Sequence, residues 1–347
     1  MWLALIAAAP AEDVAPKIIN GAEATVDEWP SAGAILVDAG GVVGFQCSSS
    51  LIAPDVVILA AHCIDPSLLG VSSFDGVGWN RSPDLTSVEA ADLAEPTVWG
   101  ADWVFHDEWD LAALQTGLAL NYDVGLLFLE EAQTDIPLAW LPTAEDAVQI
   151  VEGVEVSVVG WGMDDGADSA SYGIKHGGPS TVDALADYEF QVGAATDAVR
   201  KCHGDSGGPT FLVVDTPASI KERMIGVTSH TWDETDCMET GGVDTRVDYY
   251  LDWIDAEMVS RCEDGSRVWC DLPGILPPPI PMSEAELLAD LRLVGCHSSG
   301  GTPAGLLVVA GLLAVGRRRG RSEAGHFGRA EGEEGEEDRG YSGGVRG

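Results

Sequence analysis

Basic residues are scarce in this chain of 347 amino acids. Lysine and arginine together number 18, against 57 aspartates and glutamates, and the formal net charge is −39. Nucleic-acid binding is excluded on this ground, because contacts to phosphates need a basic surface. Residues 317–347 contain equal numbers of basic and acidic residues, so the whole negative excess lies in residues 1–316. Such acidity reflects solubility or a salt-rich setting and identifies no partner.

Metal-binding spacings are also missing. The seven cysteines form no CxxC pair, and none joins a histidine at the spacing of a zinc site. The acidic group Asp164, Asp165 and Asp168 lacks the spacing of an EF-hand loop. We therefore expect no metal and no cofactor.

Long apolar runs are absent from the carboxyl-terminal part. The run over 304–316 is shorter than the roughly 20 residues that a bilayer-spanning helix requires. Arginines follow it from Arg317, as expected for residues that stay cytoplasmic. We predict a hydrophobic anchor helix over 304–316, and a buried hydrophobic helix is the alternative.

What the chain does contain is a glycine-rich segment around a serine, CHGDSGGP at 202–209. Missing side chains let a substrate carbonyl approach backbone N–H groups closely. Upstream lie LAAHC at 59–63 and NYDVGLL at 121–127. A serine hydroxyl needs an imidazole to take its proton and a buried carboxylate to orient that imidazole. The chain supplies the imidazole, the carboxylate and the hydroxyl, in that order, as His62, Asp123 and Ser206.

On these segments the chain resembles the trypsin/chymotrypsin-like serine proteases, over residues 18–262. The resemblance implies that His62 is the general base, Asp123 its orienting carboxylate and Ser206 the nucleophile. It also implies an oxyanion hole formed by the backbone N–H groups of Gly204 and Ser206. Three unrelated loop residues are one alternative, and a catalytically silent binding protein on the same fold is another.

The pattern of apolar residues agrees with an all-β fold. Short apolar runs broken by Gly, Pro and Asp predict strands across residues 18–245. Val247, Tyr250, Leu251 and Ile254 then recur at helical spacing. Together with the resemblance, this predicts two packed six-stranded antiparallel β-barrels and a C-terminal helix. The stretch between His62 and Asp123 is long for the family, with extra sequence around 110–120.

The amino end predicts an activation site. KIING at 17–21 and EWP at 28–30 resemble the start of the mature family domain. The resemblance implies cleavage after Lys17 and pairing of the new Ile18 ammonium with Asp205, a carboxylate that is costly to bury alone. Residues 12–17 would be the pro-segment, removed by an activating protease. An ordinary apolar strand start is the alternative.

The cysteines predict three disulfides. The resemblance implies the pairs Cys47–Cys63 and Cys202–Cys237, while Cys262 and Cys270 are close enough in sequence to close a small loop. Cys296 is left over. Three bridges indicate an oxidising, extracytoplasmic compartment.

Specificity is predicted from the residue six positions before the nucleophile. In the family it lies at the base of the primary pocket, and here it is Arg200. A cation there predicts cleavage after Glu or Asp. Two alternatives remain, namely that Asp244 neutralises Arg200 or that Arg200 points to solvent. The other predicted substrate contacts are His203, Ser229, His230, Thr231 and Gly242. The resemblance also implies that Ser229 contacts Asp123.

The ends predict the protein's location. Residues 1–11 are apolar and close with an A-x-A-like site, so we predict a signal peptide although a basic n-region is missing. We predict a Pro/Gly-rich linker at 263–303 and a disordered tail, basic and then Gly/Glu-rich, at 317–347.

The order of Cys296, Gly/Ser segment, apolar run and arginines resembles myxobacterial sorting signals. These features predict a monomeric serine endopeptidase, secreted or anchored at a bacterial surface, that acts on proteins or peptides.

Overall fold

The computed structural model describes residues 18–88, 93–163, 171–216, 219–233 and 237–276. Within them the strands are β1 (Ala22–Glu23), β2 (Ala32–Asp38), β3 (Val43–Ala53), β4 (Val56–Leu59), β5 (Gly76–Asn80), β6 (Val98–Phe105), β7 (Gly125–Leu129), β8 (Glu155–Gly160), β9 (His176–Leu185), β10 (Glu189–Val192), β11 (Pro209–Thr216), β12 (Ser219–Thr231) and β13 (Gly242–Arg246). The helices are α1 (Ala144–Ala147), α2 (Cys237–Thr240) and α3 (Leu251–Asp264), with 3₁₀ turns at Ala61–Cys63, Pro66–Leu69, Leu111–Ala113 and Val247–Tyr250.

The amino-terminal half forms a closed antiparallel barrel in the order β2-β3-β4-β7-β6-β5. Strands β4 and β7 are buried on both faces, which explains their unbroken runs of apolar residues. Leu51, Val57, Leu126 and Phe128 are among the side chains that fill the core. We call this the N-terminal barrel.

The second half forms a sheet in the order β1-β9-β10-β13-β12-β11-β8, which the pairing of β8 with β9 closes. Six of these strands make the C-terminal barrel, and the two-residue strand β1 is added at β9. The prediction of two six-stranded antiparallel barrels is therefore confirmed. Ile18, Phe190 and Ile225 pack in the core of this barrel.

The predicted C-terminal helix is confirmed as α3. Ile254 and Met258, one turn apart, are its fully buried side chains. The helix ends at Gly265, whose left-handed φ of 79° closes the last turn with a hydrogen bond to the Arg261 carbonyl.

The predicted linker over 263–303 is wrong at its start, because residues 263–276 belong to the folded domain. Helix α3 continues to Asp264, and the Arg267 side chain is buried in an ion pair with Asp55 of the β3–β4 turn, at 2.6 Å. Ile275 packs against the main core. The predicted signal peptide, pro-segment, anchor helix and tail lie outside the described residues. Among the described helices, none has the length and apolar character needed to cross a membrane.

The three predicted disulfides are confirmed. Sulfur–sulfur bonds join Cys47 to Cys63, Cys202 to Cys237, and Cys262 to Cys270. The first two lie beside the segments that carry His62 and Ser206, and so fasten both to their barrels.

Candidate active site

His62 and Asp123 meet at the edge of the N-terminal barrel. His62 lies in the 3₁₀ turn that follows β4, and Asp123 lies two residues before β7, the strand paired with β4. His62 Nδ1 is 2.8 Å from Asp123 Oδ2, and the His62 backbone N–H donates to Oδ1 at 3.0 Å. The carboxylate is fully buried. It therefore fixes both the position of the ring and the tautomer in which Nδ1 carries hydrogen.

Each partner shifts the pKa of the other. Burial by itself lowers the pKa of His62, but the Asp123 charge and hydrogen bond outweigh it, and the pKa ends above its ordinary value. Burial raises the pKa of Asp123, yet the interactions with His62 and Ser229 leave it below its ordinary value. Asp123 is thus an anion that stabilises an imidazolium at His62.

Strand β12 supplies a second contact to the carboxylate. The Ser229 hydroxyl donates to Asp123 Oδ2 at 2.6 Å, as the sequence predicted for this pair. His230, for which the sequence indicated no partner, has Nδ1 3.0 Å from the Ser229 oxygen and Nε2 3.0 Å from the Gly117 carbonyl. Burial lowers the pKa of His230, which favours a neutral ring that donates from Nε2 to Gly117.

Ser206 lies in a tight turn just before β11. Gly204 and Gly207 flank it with φ values of 93° and 78°, a backbone region that glycine adopts readily. A Cβ on Gly204 would lie 2.9 Å from the Gly162 Cα, so the turn has no room for a side chain there. The Ser206 carbonyl accepts from the Ser48 N–H of the other barrel at 2.8 Å. Ser206 and His62 line the same cleft.

Asp205 is fully buried beside this turn. Its carboxylate accepts from the backbone N–H groups of Gly162 and Cys202, both at 2.8 Å. Burial raises the pKa of Asp205 to about 7, although both hydrogen bonds oppose the shift. Its predicted partner Ile18 is buried in the C-terminal barrel, and the neighbouring Ile19 packs on Cys202. Ile18 carries an amide in the uncut chain, so the predicted ammonium has yet to be generated.

The cleft has a volume of about 370 Å³. Five of the six predicted substrate contacts line it, namely His203, Ser229, His230, Thr231 and Gly242. Arg200 does not. Its backbone pairs with Ile19, and its buried side chain donates to the Ala195 carbonyl. The placement of Arg200 at the pocket base is therefore wrong, and so is the alternative that it points to solvent.

Lys201 takes the place that the sequence assigned to Arg200. It lines the cleft, and its ammonium is 2.8 Å from the Asp244 carboxylate. Asp244 therefore neutralises Lys201 and not Arg200. Burial lowers the pKa of Lys201, and the charge of Asp244 opposes that shift. Adjacent residues in extended chain point to opposite sides, so the sequence indicates that one of these two cations faces the cleft without indicating which one.

The additional stretch before Asp123 forms one wall of the cleft. Leu111 and Leu114 line it, together with Leu68. Glu189 anchors the stretch by accepting hydrogen bonds from the Ala119 N–H at 2.8 Å and the Asn121 side chain at 3.0 Å. Burial raises the pKa of Glu189 to about 8. The sequence did not indicate that these residues belong to the site, because loops in a stretch that is long for the family are hard to align with it.

Two groups of possible metal ligands occur among the described residues, Cys47–His62–Cys63 and Cys202–His203–Cys237. Each contains the two sulfurs of a disulfide, which are not thiolates and so are poor ligands. The cleft instead holds a serine, an oriented imidazole and a glycine turn along one lining, an arrangement that suits acyl transfer.

Comparison with known proteins agrees with this chemistry. The trypsin family model matches residues 18–254. The chain is 28% identical to a chymotrypsin of Phaedon cochleariae, over 73% of this chain and 87% of the relative. It is 24% identical to brachyurin of Leptuca pugilator, over 69% and 98%, and 26% identical to proproteinase E of Bos taurus, over 71% and 96%. This chain belongs to the trypsin family and is a serine-type endopeptidase.

Proposed function

We propose that His62, Asp123 and Ser206 are the catalytic triad of this peptidase. The observation that carries the proposal is the buried His62–Asp123 pair, 2.8 Å between Nδ1 and Oδ2, in the cleft that Ser206 lines. Ser206 Oγ attacks the scissile carbonyl while His62 Nε2 takes its proton. Asp123 stabilises the imidazolium, which then protonates the leaving amine. Water hydrolyses the acyl-enzyme by the same route in reverse.

The oxyanion of the tetrahedral intermediate would be bound by the backbone N–H groups of Gly204 and Ser206. The left-handed φ of Gly204 and the absence of a side chain support this role, because both leave the turn accessible to a carbonyl oxygen. Its carbonyl accepts from the Ser48 hydroxyl at 3.0 Å, which holds the peptide plane in place. Such preorganised donors contribute about 2.7–4 kcal/mol each to transition-state stabilisation.

The enzyme is made as a zymogen in this proposal. Cleavage after Lys17 frees an ammonium on Ile18, which pairs with Asp205 and orders the oxyanion turn. Support comes from the burial of Asp205, whose pKa of about 7 leaves it partly protonated until a cation arrives. The contact of Ile19 with Cys202 brings the same segment to that region. The name of one relative, proproteinase E, also denotes a proenzyme.

Replacement of Lys17 by Gln is expected to leave the secreted chain uncut and at least about 10²-fold less active, because the buried Asp205 then lacks its cation. The measurement is peptide hydrolysis together with the amino-terminal sequence of the product. Lys221→Gln, at an exposed lysine, is the matched control and should be processed and active. Full activity of an uncut Lys17→Gln chain would contradict the activation mechanism.

The location follows from the disulfides. Three bridges within one domain persist in an oxidising compartment, so the enzyme acts outside the cytoplasm. The signal peptide, the myxobacterial-like sorting segment and the anchor at a bacterial surface stay predictions, as do the activating protease and the monomeric state. The preference for acidic residues at P1, the position before the scissile bond, loses its basis because Arg200 does not line the cleft.

A fluorophosphonate probe tests the proposed function. After processing, the chain is expected to be labelled at one residue, Ser206, and to hydrolyse peptides. The Ser206→Ala variant should do neither, whereas Ser49→Ala, at a buried serine of β3 whose hydroxyl donates to the Gly33 carbonyl, should be labelled and should hydrolyse peptides. A silent binding protein on this fold would leave the probe unreacted. Labelling without peptide hydrolysis would indicate an esterase.

The pH dependence of catalysis is expected to report His62. Its pKa is raised, and only the neutral ring accepts the Ser206 proton, so kcat/KM should rise with pH through an apparent pKa above about 6.5. The Asp123→Asn variant loses the charge that raises the pKa, so its residual activity should titrate at a lower pH. A rising limb centred below pH 6 in the native enzyme would contradict this prediction.

A further inference from the structure

The inner end of the cleft carries a complete ion pair. Lys201 Nζ donates to the two oxygens of Asp244 at 2.8 and 3.1 Å and to the Thr210 hydroxyl at 2.7 Å, with the Gly208 carbonyl at 3.5 Å. The Thr210 hydroxyl in turn donates to Asp244 at 2.5 Å. An ammonium has three N–H donors, and here all three have acceptors. The cation is therefore satisfied before any substrate arrives.

Lys201 places the pair at the wall of the cleft that Ser206 also lines. Lys201 lines the cleft together with Cys202 and Gly242, and a Cβ on Gly242 would be only 3.8 Å from the Lys201 Cβ. Asp244 is fully buried and does not line the cleft, so Lys201 separates it from the substrate. Its carboxylate also lies against Gly226 of β12, where a Cβ would be 2.6 Å from Oδ2. This packing keeps the carboxylate from turning away from Lys201.

Charge balance then decides what the pocket accepts. Opposite charges 2.8 Å apart leave the inner end with no net charge. A charged P1 side chain that entered would lose its hydration without gaining an uncompensated counter-ion, and that desolvation opposes binding. A neutral side chain avoids this cost.

We infer that the Lys201–Asp244 pair sets the substrate class: it neutralises the primary pocket, so the enzyme cleaves after uncharged residues. The inference rests on the proposed peptidase function of the same cleft. Removing either partner alone converts the pocket to a charged one. Loss of Lys201 exposes a carboxylate that binds Lys or Arg at P1, and loss of the Asp244 charge frees an ammonium that binds Asp or Glu.

The test uses fluorogenic peptides that differ only at P1, with Arg, Glu, Gln or Leu, and processed enzyme titrated with a fluorophosphonate. The native enzyme should prefer Gln or Leu over both charged residues. Lys201→Ala should raise the ratio of kcat/KM for Arg over Glu by about 10–100-fold, and Asp244→Asn should lower it by a similar factor. The double variant Lys201→Ala/Asp244→Asn has the same enlarged pocket as Lys201→Ala but no carboxylate in it. It should therefore prefer neutral P1 residues, as the native enzyme does.

The outcomes separate two failures. A native enzyme that does not react with the probe refutes the proposed function itself. A native enzyme that reacts but cleaves mainly after charged residues overturns the inference, without any need for the variants to fold. If the variants react and their Arg/Glu ratios equal the native ratio, the pair does not set specificity. Rates are expressed per titrated active site. Partial misfolding of a variant therefore does not change its ratio of kcat/KM for Arg over Glu.

Discussion

Asp123→Asn is expected to lower kcat about 10⁴-fold while the fold is preserved. The same substitution of the triad aspartate in a serine protease lowers kcat by about this factor. In this chain the buried Asp123 carboxylate accepts from both His62 Nδ1 and the His62 backbone N–H. An amide in its place offers an N–H to one of these donors, and the ring then turns or adopts the other tautomer. Neither form takes the Ser206 proton. Steady-state hydrolysis of a peptide substrate measures the loss.

Asp65→Asn is the matched control for that variant. The Asp65 carboxylate acts on His62 through its charge only, and its hydrogen bonds go to Ser67 and Trp109. Because Asp65 is partly exposed, solvent screens this charge, and kcat should change by less than about tenfold. Circular dichroism and thermal unfolding establish that both variants are folded. An Asp123→Asn enzyme that keeps a tenth of the native kcat would contradict the assigned role.

The His62–Asp123 pair and the turn around Ser206 could be predicted from sequence because each of these residues lies in a short contiguous motif. The residues around Ser206 specify a turn by themselves, since Gly207 follows it directly and Gly204 lies two positions before it, both with left-handed φ values. The contact of Ser229 with Asp123 followed from the same resemblance. Pairings of this kind need no knowledge of how distant loops pack, so they were predicted with the correct residue numbers.

The basic residue that lines the cleft could not be predicted in the same way. Arg200 and Lys201 are adjacent basic residues, and the sequence does not say which of them faces the cleft. Pairing of the Arg200 backbone with Ile19 decides it, by turning Arg200 toward the Ala195 carbonyl and Lys201 toward Asp244. A one-residue change of register reverses the direction of both side chains. The placement of Arg200 at the pocket base was wrong for that reason, although a basic residue does line the cleft.

The boundary of the domain was misplaced for a different physical reason. Proline and glycine after residue 271 are typical of a linker, yet this segment is held by partners far away in sequence. Arg267 binds Asp55, 212 positions earlier, and the N–H groups of Ile275 and Leu276 donate to Asp255 on α3, both at 2.8 Å. Local composition carries no information about such contacts.

Arg267→Met is expected to destabilise the protein by about 3–5 kcal/mol and to lower Tm by roughly 6–20 °C. Arg267 and Asp55 are both buried, and the guanidinium also donates to the Pro273 carbonyl at 2.7 Å. Without it the Asp55 carboxylate keeps only its bond from the Trp269 N–H, at 3.0 Å, among the side-chain contacts described for it. Thermal unfolding under oxidising conditions measures the shift, with the Cys262–Cys270 bridge intact.

Two further variants test whether the loss of stability comes from the unpaired Asp55 carboxylate. Asp55→Asn/Arg267→Met removes both charges, so it should be more stable than Arg267→Met alone, because the larger part of the cost is the carboxylate left without a cation. Arg81→Met breaks the more exposed pair with Glu95, 3.3 Å long, and should cost less than about 1 kcal/mol. If Arg267→Met and Arg81→Met unfold at the same temperature, residues 266–276 are held by apolar packing and the disulfide, and the ion pair with the N-terminal barrel contributes little to stability.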